Sequence, residues 1–285
     1  MTHPKYILTL ACPDELGIVY AVSGFLVKHG GNIIDSAQFG DRGTGLFFMR
    51  VHFGLRGSST DLATLRHDFA AVAENFVMRW EIADTSVKPR LLLMVSRFGH
   101  CLNDLLFRYS SGTLPVEIPA IVSNHPDFYQ LAASHNIPYY HVPVSAPTKD
   151  KAEARLLEIV HENQVDLVVL ARYMQVLSNE LCATLAGRAI NIHHSFLPSF
   201  KGAKPYRQAH DRGVKLIGAT AHYVTGDLDE GPIIEQDVAR VDHAMDPETL
   251  TAIGRDVESV VLARAVMWHV ERRVILNDGR AVVFR

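Results

Sequence analysis

The chain has 285 residues, of which 48% are hydrophobic and 21% are charged, a balance typical of a globular protein large enough for two hydrophobic cores. Its formal net charge of −3 argues against the strong positive field of a general nucleic-acid-binding protein, so we expect no nucleic-acid partner. Cys12, Cys101 and Cys182 are far apart and form no CxxC pair, which argues against a disulfide framework or a structural zinc site and fits a reducing cytoplasm.

The first 85 residues have the pattern of a small α+β domain. Strands alternate with two helices whose apolar residues recur at helical spacing, and the glycine-rich segment GDRGTG at 40–45 is typical of a hairpin turn. The order β-α-β-β-α-β predicts a ferredoxin-like fold for a domain over residues 1–85. The predicted elements are strands over 5–11, 32–39, 45–53 and 77–83, with helices over 13–31 and 59–76.

A polar stretch ending at Pro89 separates this domain from a second one, predicted over residues 86–285. Apolar strands there alternate with longer helices, which predicts an α/β fold with a mostly parallel sheet covered on both faces. Ligands bind outside the carboxyl ends of the strands in such sheets, and His193 and His194 directly follow one strand. The predicted elements are strands over 90–96, 116–123, 139–144, 165–171, 189–194, 216–224 and 231–241, a helix over 151–164, a long helix over 247–273 and a hairpin over 274–284.

Polar residues after two of these strands have the character of a catalytic site. Asn191, His193 and His194 end one strand, and an acidic loop over 227–232 follows another. A carboxylate can orient an imidazole or move a proton, and an amide can donate to a developing oxyanion. The set suits attack on a carbonyl group. Spacing alone does not place Asp229 beside His193, because the fold must bring them together.

Two motifs resemble the folate-dependent formyltransferase family over most of residues 89–285. They are NIHHSFLPSFKG at 191–202 and GATAHYVTGDLDEGPII at 218–234. The resemblance implies a Rossmann-like domain in which Asn191, His193 and Asp229 are catalytic and His222 supports the acidic loop. The segment VLARYMQVLS resembles the family's folate-binding stretch. It implies that the pterin is held by four consecutive residues: Met174, Gln175, Val176 and Leu177.

Departures from the transferase pattern are equally informative. Members that formylate glycinamide ribonucleotide cradle its phosphate with a glycine-rich loop, where this chain has the bulky Arg97, Phe98 and His100. They also have proline where this chain has His194. These differences imply hydrolysis of 10-formyltetrahydrofolate to formate and tetrahydrofolate, which supplies formate for purine synthesis and balances one-carbon folate pools. A formyltransferase acting on another amine and a folate-binding sensor of low activity remain alternatives.

The mechanism that the resemblance implies needs neither a covalent intermediate nor a metal or cofactor beyond the folate substrate. Asp229 deprotonates water that His193 positions, and Asn191 and protonated His193 stabilise the oxyanion. Ser195 and Cys101 have no motif support as nucleophiles. His194 either positions water or only packs. Three basic residues form either a solvated face or a site for the glutamate carboxylates of folate: Lys201, Lys204 and Arg207.

The segment CPDELGIVYAVSGFLVKHGGNI at 12–33 resembles an ACT domain. This resemblance implies an amino-acid effector and a homo-oligomer, but it identifies neither the effector and the sign of its effect nor the number of subunits. No apolar run approaches membrane-spanning length, and the first residues lack the apolar core of a signal peptide. We therefore expect no membrane partner and a cytoplasmic location.

Overall fold

A computed structural model of the chain describes residues 4–56, 60–198 and 205–285. The chain divides into two compact units. The first comprises Met1–Lys88 together with Glu271–Asn277 and Val282–Arg285, and the second comprises Pro89–Val270 and Asp278–Ala281. The division after Lys88 lies close to the boundary predicted at residue 86, but the C-terminal segments group differently from the prediction.

The first unit has the predicted ferredoxin-like α+β fold. Its four strands form an antiparallel sheet in the order β2-β3-β1-β4, which is the arrangement expected for the β-α-β-β-α-β sequence of elements. Both helices pack apolar side chains into one core, where Phe25 and Phe69 meet edge to face at 5.0 Å. The elements are β1 (Lys5–Pro13), α1 (Ile18–Lys28), β2 (Gly31–Asp41), β3 (Leu46–Leu55), α2 (Leu62–Asn75) and β4 (Arg79–Asp84).

The C-terminal hairpin, which the sequence analysis assigns to the second domain, provides contacts within the first unit. It is formed by β12 (Val274–Asn277) and β13 (Arg280–Val283). Phe284, just after it, joins a small buried cluster with Ala11 and Phe48. The guanidinium of Arg50 donates to the carbonyl oxygen of Glu271 at 3.2 and 3.0 Å. The hairpin thus has its own apolar and hydrogen-bonded partners on the first sheet.

The second unit is the predicted α/β domain. Its seven strands form a sheet in the order β11-β10-β9-β8-β5-β6-β7, in which β5 to β9 run parallel and β10 and β11 are antiparallel to their neighbours. No helix in the described ranges is long and apolar enough to cross a membrane. The elements are β5 (Arg90–Val95), α3 (His100–Ser110), β6 (Glu117–Ser123), α4 (Tyr129–Ser134), β7 (Tyr139–His141), α5 (Lys149–Glu162), β8 (Leu167–Leu170), α6 (Asn179–Thr184), β9 (Ala189–His193), α7 (Pro205–Asp211), β10 (Leu216–Tyr223), β11 (Ile233–Arg240) and α8 (Pro247–Val270).

Two features of this sheet position the site. Strands β8 and β9 are parallel neighbours, with Leu170 paired with Asn191, so their carboxyl ends reach the same edge. Strand β10 runs antiparallel to β9 and places His222 directly opposite Asn191. Helix α8 packs on β9, β10 and β11. Polar side chains from both sides of β9 therefore converge where β8 and β9 end.

Candidate active site

A cavity of about 760 Å³ lies at this edge of the sheet. The predicted residues Asn191, His193, His194, His222 and Asp229 all line it. Cavities of this size suit a drug-sized organic ligand. The predicted folate-binding residues also line the cavity, as do several residues that the sequence analysis leaves without a role: Phe98, His100, Arg172, Tyr206, Arg255 and Glu258.

Asp229 joins two of the histidines. Its Oδ2 lies 3.1 Å from Nδ1 of His193, and its Oδ1 lies 3.7 Å from Nε2 of His222. The amide Nδ2 of Asn191 lies 3.3 Å from that same Nε2. Asn191 and His193 are two residues apart in β9 and so face the same side of the sheet. One carboxylate, one amide and two imidazoles thus form a connected set within the cavity.

The shape of the acidic loop depends on Gly231. A Cβ atom at this position would lie only 1.8 Å from the carbonyl oxygen of Tyr223, so the loop approaches β10 more closely than any side chain permits. The N–H of Tyr223 donates to the carbonyl of Pro232 at 2.9 Å. Asp229 itself has a φ of 59°, in the left-handed region. The Asp-Glu-Gly-Pro sequence therefore serves to return the carboxylate to the histidines.

The neighbours of Asp229 stabilise the ionised form of its carboxyl group. Burial raises the pKa of its carboxyl group, but the hydrogen bond from His193 and the nearby imidazole of His222 outweigh this effect and hold the pKa well below its usual value. Nδ1 of His222 also contacts the carbonyl oxygen of Tyr223 at 2.9 Å and must donate its hydrogen there. The carboxylate is consequently ionised near neutral pH and acts as an acceptor.

His193 has one nitrogen committed and one free to react. Its Nδ1 faces the Asp229 carboxylate, which fixes the hydrogen on that nitrogen. Its Nε2 is buried and has no hydrogen-bond partner in the described part of the chain. Buried polar atoms normally have partners, so such an exception often marks a reactive group.

His194 lines the same cavity as His193, although alternation along a strand favours the opposite face. The reason is that β9 ends at His193, so the alternation does not continue. The two rings stack with centroids 5.1 Å apart. Burial lowers the pKa of His194 to about 3, with further lowering from Arg172 and His193. A neutral imidazole therefore lies next to the predicted catalytic one.

Glu258 is the main residue of the cavity that the sequence analysis misses. Its side chain is only 1% exposed, and it contacts the hydroxyl of Tyr206 at 2.5 Å, Nε2 of His100 at 2.7 Å and Nε of Arg172 at 3.2 Å. Burial raises the pKa of this carboxyl group, but its three partners produce a net lowering. The sequence does indicate that Glu258 is buried, because Glu258 follows Leu250 and Gly254 at intervals of four residues and so lies on the buried face of α8.

Other candidates have different surroundings. Arg207 is exposed and lines the cavity, whereas Lys201 and Lys204 lie outside the described residues. Burial raises the pKa of the Cys101 thiol, which keeps it protonated and does not favour a nucleophile. Cys101 forms, with His100 and Glu258, the one cluster of metal-type ligands in the described ranges. Four further polar residues of the second unit are exposed: Arg97, Asn103, His210 and His243.

Comparisons with known proteins identify the family of the chain. A family model described as formyl transferase matches residues 89–266. A formyltetrahydrofolate deformylase from Corynebacterium sp. (strain P-1) is 52% identical, with 99% of this chain and 98% of that protein covered. The one from Escherichia coli K12 is 41% identical, with 98% of both chains covered. The match to these proteins therefore includes both units of this chain.

Solved structures separate two kinds of relative. The crystal structure of formyltetrahydrofolate deformylase from Burkholderia mallei is 54% identical, has a TM-score of 0.95 and covers 100% of both chains. Glycinamide ribonucleotide transformylase 1 from Symbiobacterium toebii is 30% identical, has a TM-score of 0.66 and covers 70% of this chain and 95% of its own. The chain therefore belongs to the formyl transferase family and, within it, to the formyltetrahydrofolate deformylases.

Proposed function

We propose that this chain hydrolyses 10-formyltetrahydrofolate to formate and tetrahydrofolate. The observation that carries the proposal is the connected set of Asn191, His193, His222 and Asp229 inside a cavity. This set occurs in a chain that matches formyltetrahydrofolate deformylases over almost its full length. The predicted use of formate in purine synthesis and the balance of one-carbon folate pools are consistent with this activity.

The proposed chemistry uses Asp229 and His193 as one unit. The low pKa of Asp229 makes its carboxylate a weak base alone, but it orients His193 so that Nε2 faces an attacking water. The water oxygen bonds to the formyl carbon, and its proton passes to the pair. The amide of Asn191 stabilises the resulting oxyanion. Collapse breaks the bond from carbon to N10, N10 takes the proton, and formate leaves.

Folate binding is proposed at the loop after β8. Met174, Gln175, Val176 and Leu177 lie there and line the cavity, and Met174 and Val176 are 50% and 58% exposed. Apolar side chains exposed inside a cavity favour a flat aromatic ligand such as a pterin. The N–H of Met174 donates to Oγ of Ser96 at 2.9 Å, which fixes the start of the loop. Arg207, at another part of the wall, suits the glutamate carboxylates of the substrate.

The direct test is an assay of the purified protein with 10-formyltetrahydrofolate as the only added reactant. We expect tetrahydrofolate and free formate to appear in equal amounts without any amine, because water is the acceptor. Absorbance follows tetrahydrofolate, and a separate enzymatic assay measures formate. Tight binding of the folate with no release of formate until an amine is supplied would identify a transferase instead.

We also propose that the first unit is an ACT domain that binds an amino acid, and that the protein is a cytoplasmic homo-oligomer. The β-α-β-β-α-β order supports the first point, and three free, buried cysteines support a reducing compartment. Each of the twenty amino acids, added singly to the full chain, should be tested for its effect on the hydrolysis rate. At least one is expected to change it. An unchanged rate with all twenty would contradict the effector, and light scattering at the mass of one chain would contradict the oligomer.

A further inference from the structure

Arg172 has an unusual backbone conformation beside the cavity. Its φ is 67°, in the left-handed region that glycine adopts without strain and that a long side chain rarely adopts. The conformation is fixed on both sides, since Ala171 donates to Met94 at 2.8 Å and Ser96 donates to the carbonyl of Arg172 at 3.1 Å. Strained residues of this kind are enriched at functional sites, and of the seven non-glycine residues with positive φ in the described ranges, Arg172 and Asp229 line the cavity.

The side chain of Arg172 is anchored rather than solvated. It is 8% exposed, and its Nε forms an ion pair with the carboxylate of Glu258 at 3.2 Å, without the geometry of a hydrogen bond. The same carboxylate is also hydrogen-bonded to Nε2 of His100 and to the hydroxyl of Tyr206. Gly254 makes this possible, because a Cβ at that position would lie 2.1 to 2.3 Å from the Tyr206 ring and hydroxyl. The four charged or polar groups form one cluster, in which the partners of Glu258 come from α3, from α7 and from the loop after β8.

An aromatic ring extends this cluster along the cavity wall. The guanidinium carbons of Arg172 and Arg255 lie 5.9 and 5.3 Å from the centre of the Phe98 ring, at cation–π distance. Phe98 is 44% exposed and lines the cavity. Three bulky side chains thus line this side of the cavity, and of these Arg172 is buried whereas Phe98 and Arg255 are exposed.

The cluster adjoins the predicted reacting groups through His194. The His194 ring lies 5.1 Å from the His193 ring and 6.2 Å from the Tyr206 ring. Arg172 lies close enough to contribute to the lowered pKa of His194, after the larger effect of burial. A neutral ring and a buried cation therefore lie on the side of the cavity next to His193.

We propose that Arg172, anchored by Glu258, closes the side of the cavity next to His194 to amine acceptors and so restricts the formyl acceptor to water. The inference rests on the proposed hydrolysis and names the residue that selects its acceptor. An aliphatic amine is larger than water and is largely protonated near neutral pH, so it meets both the bulk and the positive charge of Arg172. Water is small and neutral and meets neither barrier.

The reaction that Arg172 suppresses is transfer of the formyl group from N10 to an amine. The amine nitrogen bonds to the formyl carbon, the bond from that carbon to N10 breaks, and one proton moves from the amine to N10. The products are an N-formyl amine and tetrahydrofolate, and no oxidant or reductant is needed. Both reactions release tetrahydrofolate, so the ratio of N-formyl amine to formate measures the choice of acceptor directly.

The test uses full-length protein, 10-formyltetrahydrofolate and a fixed concentration of glycinamide, with both formyl products quantified by mass spectrometry. Arg172→Gly removes the side chain and suits the left-handed backbone, so the fold should be retained. We expect the ratio of N-formylglycinamide to formate to rise about tenfold or more over wild type. Glu258→Gln keeps the volume of Glu258 but removes the charge that anchors Arg172, and it should raise the ratio by a smaller factor.

Two controls test whether the product ratio depends on the side chain of Arg172 itself or on positive charge in this part of the cavity in general. Arg172→Lys keeps a long cation and should retain the wild-type ratio. Arg255→Ala removes the other guanidinium from the Phe98 ring, and it should also leave the ratio unchanged. A wild-type ratio in both Arg172→Gly and Glu258→Gln would overturn the inference while hydrolysis by the wild type stands. A wild type that forms no formate without amine would instead overturn the proposed function.

Discussion

The Asp229→Asn variant is expected to lose about two to four orders of magnitude in kcat while the Kd for a folate ligand stays close to that of the wild type. The carboxylate accepts from His193 and lies beside His222, and an asparagine amide lacks both its charge and its second acceptor oxygen. His193 would then lose the group that fixes its hydrogen on Nδ1. The loop backbone is retained, because Gly231 and its contact with Tyr223 are unchanged.

The matched control for this variant is Asp227→Asn, which makes the same chemical change two residues away at an exposed position. It should retain nearly wild-type kcat. Formate release at saturating substrate gives kcat, and fluorescence titration with a folate analogue gives Kd. Near-wild-type turnover by Asp229→Asn would remove the carboxylate from the proposed chemistry, and a parallel loss in the control would show that the loop rather than the charge was disturbed.

The His193→Gln variant should show a loss of similar size, with kcat lowered by about two to four orders of magnitude and KM little changed. Glutamine cannot take up a proton, so the route from water through Nε2 is closed. The exposed His210 provides the control, since His210→Gln should retain activity.

A double variant tests whether His193 and Asp229 act as one unit. Residues that share one chemical step give losses that do not add, so the double variant should be scarcely slower than the poorer single variant. Losses that multiply would mean that the two residues act in independent steps. Steady-state rates of the wild type, both single variants and the double variant complete this cycle.

The predictable part of the site follows from short-range geometry. Asn191 and His193 are two residues apart in one strand, so the sequence alone indicates that they share a face. Asp229 follows the next strand in the sheet order, and it is the resemblance to the formyltransferase family that assigns it to the same site. The hydrogen-bonded register that places His222 opposite Asn191 is a property of the folded sheet.

The missed part of the site depends on long-range contacts and backbone strain. Glu258 meets His100 across 158 positions of sequence, which no local pattern reports. Arg172 occupies a conformation that favours glycine, so residue type predicts the opposite of what is observed. The C-terminal hairpin is predicted in the second domain, whereas Glu271–Asn277 and Val282–Arg285 group with the first unit and Asp278–Ala281 with the second. Its alternation predicts two strands correctly but says nothing about which core receives Phe284.

That hairpin has a consequence for the way the chain is made. The contact from Arg50 to Glu271 spans 221 positions, and Phe284 is buried against Phe48 and Ala11 near the beginning of the chain. Domains usually fold in order as they leave the ribosome. Here the unit that is synthesised first acquires its last apolar contacts only after residues 89–270 of the second unit have been synthesised. In a nascent chain stalled before Glu271, Phe48 would lack its contact with Phe284 and would be partly exposed, even if the second unit had already folded.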